Sequence, residues 1–149
     1  FNSQYITEYD NNCLTTGKLY NVENTPFDFR YYKDIGKHIN ASYNELIKIG
    51  KGYDHNYVIN GYKNINQMKH CCTVKSSNVN NIRMNVYTTE PGVQFYTCNW
   101  LDGKYKGKGY NFEHRSAFAL ETQNWPDAIH HKHFPNSILR KNEVYKSQT

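Results

Sequence analysis

From residue 53 onward the chain alternates between apolar and polar side chains with a period of two. Residues 82–89 set Ile82, Met84 and Val86 against Arg83, Asn85 and Tyr87, and Pro91-Gly92 closes the run. Residues 93–99 set Val93, Phe95 and Thr97 against Gln94, Tyr96 and Cys98. Successive side chains of a strand point to opposite faces, so each run predicts a strand with two distinct faces. Further strands are predicted at 5–7, 18–23, 53–60, 67–75, 116–122 and 137–140. Asn60-Gly61 ends the third of these, and Pro126-Asp127 follows the penultimate one. Residues 78–81 read as a hairpin-like loop. One helical candidate remains, residues 34–49, with Ile35, Ile39, Leu46 and Ile47 as its apolar members. Their spacing is imperfect, which predicts a short helix or turn ended by Gly50 and Gly52. Many short strands and little helix predict an all-β fold, an antiparallel β-sandwich, in one domain of 149 residues.

Composition narrows the picture only a little. Fourteen tyrosines, seven phenylalanines and two tryptophans suit strands and also suit sugar-binding platforms. The formal net charge is +5, and Lys104, Lys106 and Lys108 alternate with glycines in one loop. No nucleic-acid motif accompanies them, so a solvated basic loop is expected and a nucleic-acid partner is not. No apolar run is long enough for a membrane span. Cys13, Cys71, Cys72 and Cys98 have the spacing of neither a zinc site nor a disulfide framework, which fits reduced thiols and a cytoplasmic location. The adjacent pair Cys71-Cys72 lies in a predicted strand, so its two thiols are expected on opposite faces.

Several residues carry candidate chemistry. Glu121 stands where the strand at 116–122 meets its loop, on one face with Ala117 and Ala119, while Phe118 and Leu120 share the other. Small neighbours leave room for a ligand, and partial desolvation would raise the carboxyl toward general-base territory. The commoner arrangement of such a glutamate is an ion pair with Arg or Lys. Asp54 and Asn56 share a face of their strand and His55 faces away; Asp54 is either an acceptor for sugar hydroxyls or a strand-end cap. Gln94, on the Tyr96 face, could bind adjacent hydroxyls with both ends of its amide, or face solvent. His130, His131 and His133 sit too close along irregular chain to converge on one ion, and a polar surface loop is expected. A nucleophile built from Cys98 and a histidine has no feature selecting a pair.

Longer motifs, in order, add to these readings. Asn24-Thr25-Pro26-Phe27-Asp28-Phe29-Arg30, Gly52-Tyr53-Asp54-His55-Asn56, the run from Tyr87 to Thr97, and Glu121-Thr122-Gln123-Asn124-Trp125-Pro126-Asp127 resemble the aldose 1-epimerase (galactose mutarotase) family. Leu14-Thr15-Thr16-Gly17 resembles the family's Ile-Pro-Thr-Gly turn with Thr15 in place of proline, and Phe134-Pro135 and Leu139-Arg140 continue the match. The resemblance implies the family's large β-sandwich (supersandwich), represented here by its second half. It also implies a chain whose first half and final strand lie outside residues 1–149.

Roles follow from the same resemblance. Glu121 matches the family's general base, and Asp54 and Gln94 match residues that hold the sugar's hydroxyls. The implied reaction interconverts α and β anomers of hexoses such as galactose and glucose by opening and reclosing the hemiacetal, with no metal and no cofactor. The family's general acid is a histidine of its first half, and no histidine occurs here before His38. The alternatives are a sugar-binding pseudoenzyme that lacks the acid, and a sandwich fragment without a ligand. A half sandwich leaves strand edges unpaired, so self-association or a partner chain supplying the first half is expected.

Overall fold

The structure is a computed structural model that describes residues 1–41, 50–77 and 81–149. Nine strands run through these residues: β1 (Tyr5–Tyr9), β2 (Thr15–Asn21), β3 (Asp54–Val58), β4 (Lys69–Lys75), β5 (Arg83–Thr88), β6 (Gly92–Tyr96), β7 (Lys106–Gly107), β8 (Tyr110–Asn111) and β9 (Ala119–Gln123). Every pairing among them is antiparallel. Five form one sheet in the order β2-β1-β3-β6-β9, while β4-β5 and β7-β8 are two-stranded hairpins. The all-β, antiparallel expectation holds.

The main sheet has one aromatic face and one polar face, and the alternation of β3 and β6 makes both. Tyr53, His55 and Tyr57 join Val93 and Phe95 in the buried core. Tyr53 and Phe95 stack with centroids 5.4 Å apart, and Phe29 meets Tyr53 edge-on at 5.1 Å. Phe27 and Phe29 come from residues 24–30, which fold over this face. Two tyrosine hydroxyls hold that segment down: Tyr53 donates to the Pro26 carbonyl and Tyr57 to the Phe27 carbonyl, each at 3.0 Å. A burial-driven cover therefore has its backbone acceptors satisfied, as buried polar groups require. Arg30 then grips Asp28 with two parallel hydrogen bonds of 2.9 and 2.8 Å, which holds the Asp28 carboxyl below the usual carboxylate range. This sequence motif thus serves the core, on the side of the sheet away from Asp54.

Four expectations change. Residues 137–140 form no strand; Ile138 and Leu139 are exposed, and no neighbouring strand among the described residues supplies a ladder for them. The thiols of Cys71 and Cys72 do not part company: the β4-β5 register shifts between His70 and Cys72, and both side chains enter the same core. A β-bulge inserts one residue against its partner strand and so cancels the alternation at that point. The glycine-lysine loop is a small hairpin, β7-β8, not a plain loop. Within 34–49, residues Ile35–His38 form one 3-10 turn, and 42–49 lie outside the described residues. The loop at 78–81 also falls outside them, apart from Asn81, whose φ is 46°.

Candidate active site

On the polar face of the main sheet, register decides which side chains meet. In β3, β6 and β9 the cross-strand partners are Asn56, Gln94 and Glu121 in one row. Asp54, Tyr96 and Ala119 form the next row, and Val58, Gly92 and Gln123 the row on the other side. Residues directly opposite in antiparallel pairs share a face, so Asp54, Gln94 and Glu121 come together although 67 residues separate the first from the last. With Tyr96, Gln123 and Pro126 they line a cleft of about 420 Å³.

The core fixes this face from behind. His55 is wholly buried, and its ring Nδ1 accepts a 2.9 Å hydrogen bond from the backbone N–H of Asp54. The neutral ring therefore carries its proton on Nε2, which donates to the Tyr9 hydroxyl at 2.7 Å. Burial lowers the His55 pKa to about 3. The ring pointing away from the cleft thus pins the backbone of the residue pointing into it. His55 faces the core, as the alternation predicts.

Gln94 donates through Nε2 to Asp54 Oδ1 at 2.7 Å. Its Oε1 accepts from Gln123 Nε2 at 3.3 Å, and the same Gln123 nitrogen donates to Asn56 Oδ1 at 3.3 Å. These bonds use one lone pair of the Gln94 carbonyl and one N–H of its amide, so one lone pair and one N–H remain for adjacent hydroxyls of a ligand. Asp54 keeps its second oxygen without a partner among the described residues.

Glu121 also departs from expectation. It is exposed, not partly desolvated, because β9 is an edge of the five-stranded sheet and the cleft is open. No ion pair to Arg or Lys holds it among the described residues. Cys98 lies near it, and burial together with the Glu121 carboxylate pushes the Cys98 thiol up, away from the thiolate a nucleophile needs.

The three histidines after the cleft act as ties. His131 and His133 reach the carbonyls of Thr15 and Gly17 in β2 at 3.3 and 2.7 Å, and His130 pairs with Asp127. No group of three His, Cys, Asp or Glu side chains suited to a metal occurs among the described residues. No helix among them is long and apolar enough to cross a membrane.

Sequence reasoning missed Tyr96, Gln123 and Pro126 as lining residues. The signal was present for two of them, since Tyr96 and Gln123 stand two residues beyond Gln94 and Glu121 and so share their face. Trp125, at the end of the same motif, does not line the cleft: its ring N–H donates to the Pro91 carbonyl at 3.0 Å, and its ring meets Phe134 edge-on at 4.8 Å.

Comparison with known proteins bears on this arrangement. The family model described as aldose 1-epimerase matches residues 1–149. The galactose mutarotases of Bos taurus and Homo sapiens are 39% and 40% identical over 141 residues, which is 94% of this chain and 38% of each relative. The chain thus spans well under half the length of the curated relatives it matches. The crystal structure of an aldose epimerase homologue from C. elegans superposes with a TM-score of 0.77 at 27% identity, over 98% of this chain and 42% of that one. With the sheet, the cleft and the whole-length family match in agreement, the chain belongs to the aldose 1-epimerase family.

Proposed function

We propose that this chain is the base-bearing, C-terminal portion of a mutarotase-like domain that interconverts the α and β anomers of hexoses such as galactose and glucose. The observation that carries the reading is the row across β3, β6 and β9. It brings the exposed carboxylate of Glu121, which no Arg or Lys among the described residues pairs with, beside Asp54 and Gln94 in one cleft, and these two suit the hydroxyls of a sugar. A pyranose needs both parts: groups that hold its hydroxyls and a base at the anomeric position.

In this reading Glu121 takes the proton from the anomeric hydroxyl. The bond between C1 and the ring oxygen breaks as the ring oxygen receives a proton from a general acid. The open-chain aldehyde rotates about C1–C2 and the steps reverse on the other face. Asp54 accepts from one sugar hydroxyl through its unengaged oxygen, and Gln94 donates its remaining N–H to another oxygen. None of the side chains lining the cleft is a histidine. The acid accordingly comes from the portion of the family domain outside residues 1–149. The cytoplasm, a reducing compartment, is supported by four free cysteines.

Polarimetry tests the reading. The rotation of freshly dissolved α-D-galactose is followed with the chain, alone and mixed with a chain carrying the family's first half, and again with Glu121→Gln. Acceleration in the unaltered protein, reduced roughly 100-fold or more by Glu121→Gln, is the expected result. No acceleration from folded protein in either mixture, or equal rates with Gln at 121, overturns it.

A further inference from the structure

We infer that Gln123 is a positioning residue of the cleft, one that braces the Gln94 amide in the orientation the Asp54 carboxylate imposes, with its carbonyl toward Gln123 and one N–H toward Asp54. This rests on the reading of the cleft as a hexose site. Gln123 stands opposite Gly92 on the neighbouring strand. A Cβ at Gly92 would lie 2.4 Å from Asn56 Oδ1, so the missing side chain is what leaves room above β6 for the amides to converge. Gln123 Nε2 sends its two hydrogens to Gln94 Oε1 and Asn56 Oδ1, both at 3.3 Å. Gln94 Nε2 in turn donates to Asp54 Oδ1 at 2.7 Å. The three amides and the carboxylate form one directed set of bonds running from Gln123 toward Asp54.

The Asp54 carboxylate can only accept, so it fixes the direction of the set, and Asn56 shows that Gln123 passes it on. The Asn56 Nδ2 is buried without a hydrogen-bond partner among the described residues, an arrangement that costs free energy. Rotating the Asn56 amide by half a turn would face that NH₂ with the NH₂ of Gln123. Asn56 therefore takes its orientation from Gln123, as Gln123 takes its own from the Gln94 carbonyl. Gln94 is held from both ends, its carbonyl accepting from Gln123 and one hydrogen going to Asp54, which leaves its second N–H and one carbonyl lone pair for a ligand. Asp54 Oδ2 and the Glu121 carboxylate are then acceptors on either side of one donor.

Substitutions that separate shape from polarity test this. Gln123→Glu keeps the shape but cannot donate, so it confronts two carbonyl oxygens and pulls the Gln94 NH₂ away from Asp54. Gln123→Met removes the donor without adding a competitor. The first readout is sugar-free: the side-chain amide resonances of Gln94 in 15N-labelled protein. In the unaltered chain one of its two protons shifts as Asp54 is titrated. In Gln123→Glu that response is lost, and in Gln123→Met it is kept. The second readout is D-galactose affinity from the same spectra, expected to weaken about 10-fold or more in Gln123→Glu and only a few-fold in Gln123→Met. A merely structural role predicts the reverse order, because glutamate is the closer fit. An unchanged Asp54-linked response of Gln94 in folded Gln123→Glu overturns the inference, and so does unchanged galactose affinity there. No galactose response in the unaltered chain counts against the hexose reading and leaves the Gln94 amide readout standing as the test of Gln123.

Discussion

Tyr57 closes the Phe27 carbonyl inside a fully buried aromatic core. Tyr57→Phe keeps the ring and strands that carbonyl, and is expected to cost about 1–3 kcal/mol, read as a lower urea midpoint with an unchanged m-value. Asp54→Asn acts on the other face of the same strand. It removes the charge that receives the Gln94 N–H and the sugar hydroxyl, so galactose affinity is expected to fall about 10-fold while the urea midpoint moves little. At this scale the sequence was informative where chemistry sits on a strand of known parity: Asp54, Gln94 and Glu121 could be named from the resemblance and assigned a face from the period of two. It was uninformative about state. Whether Glu121 is exposed, and whether the Gln94 carbonyl is already engaged, depends on cross-strand neighbours far away in sequence, and one-dimensional spacing does not carry those.

Elements with a packed face were legible, and elements that depend on a partner were not. β3 and β6 announce themselves by alternation because one side of each must leave water, whereas β5 alternates although Met84 and Tyr87 stay exposed and Val86 is only half-buried. Residues 137–140 have the composition of a strand, but composition cannot supply the ladder, and they form no strand and stay exposed. The bulge at Cys71-Cys72 was hidden for a related reason: an added residue changes register, and register is a property of a pair of strands. Gly92 shows what an element tolerates. A methyl group there would press on Asn56 Oδ1 at 2.4 Å and on the Trp125 ring at 3.0 Å. Gly92→Ala is expected to destabilise the fold by about 1–3 kcal/mol and to displace Trp125, seen as a shift of its fluorescence maximum. Gly92 has no positive φ among the glycines that do, so its requirement is for room, not for backbone freedom.

For the molecule as a whole, His55 ties stability to pH. Its folded pKa is about 3, against about 6.5 for an unfolded histidine. Between these values the unfolded chain binds the extra proton. The stabilising effect of keeping the ring neutral is therefore complete above pH 6.5 and declines by about 1.4 kcal/mol per pH unit below it, toward pH 3. Urea midpoints measured at pH 7.5, 5.5 and 4.5 should fall accordingly, and the fall should be shallower in His55→Gln. A His55 ring that titrates near pH 6.5 in the folded protein, followed by NMR, would falsify this. The overall fold class was legible because it sums many weak strand signals. The assignment of faces to core and cleft followed only once β3 was found in the middle, flanked by β1 and β6.

That central strand has a consequence for how such a protein changes over generations. Odd positions of β3 belong to the aromatic interior and even ones, Asp54 and Asn56, to the polar face that carries the cleft, so the two tasks are written in alternate letters of one word. Point substitutions at even positions leave the interior's spelling intact, and ligand preference is free to drift. A single inserted or deleted residue swaps the two alphabets, sending His55 to solvent and Asp54 into the aromatic interior at one stroke. Lineages descending from such a sheet are expected to diversify by replacement within β3 and to accumulate length changes in the loops beyond its ends.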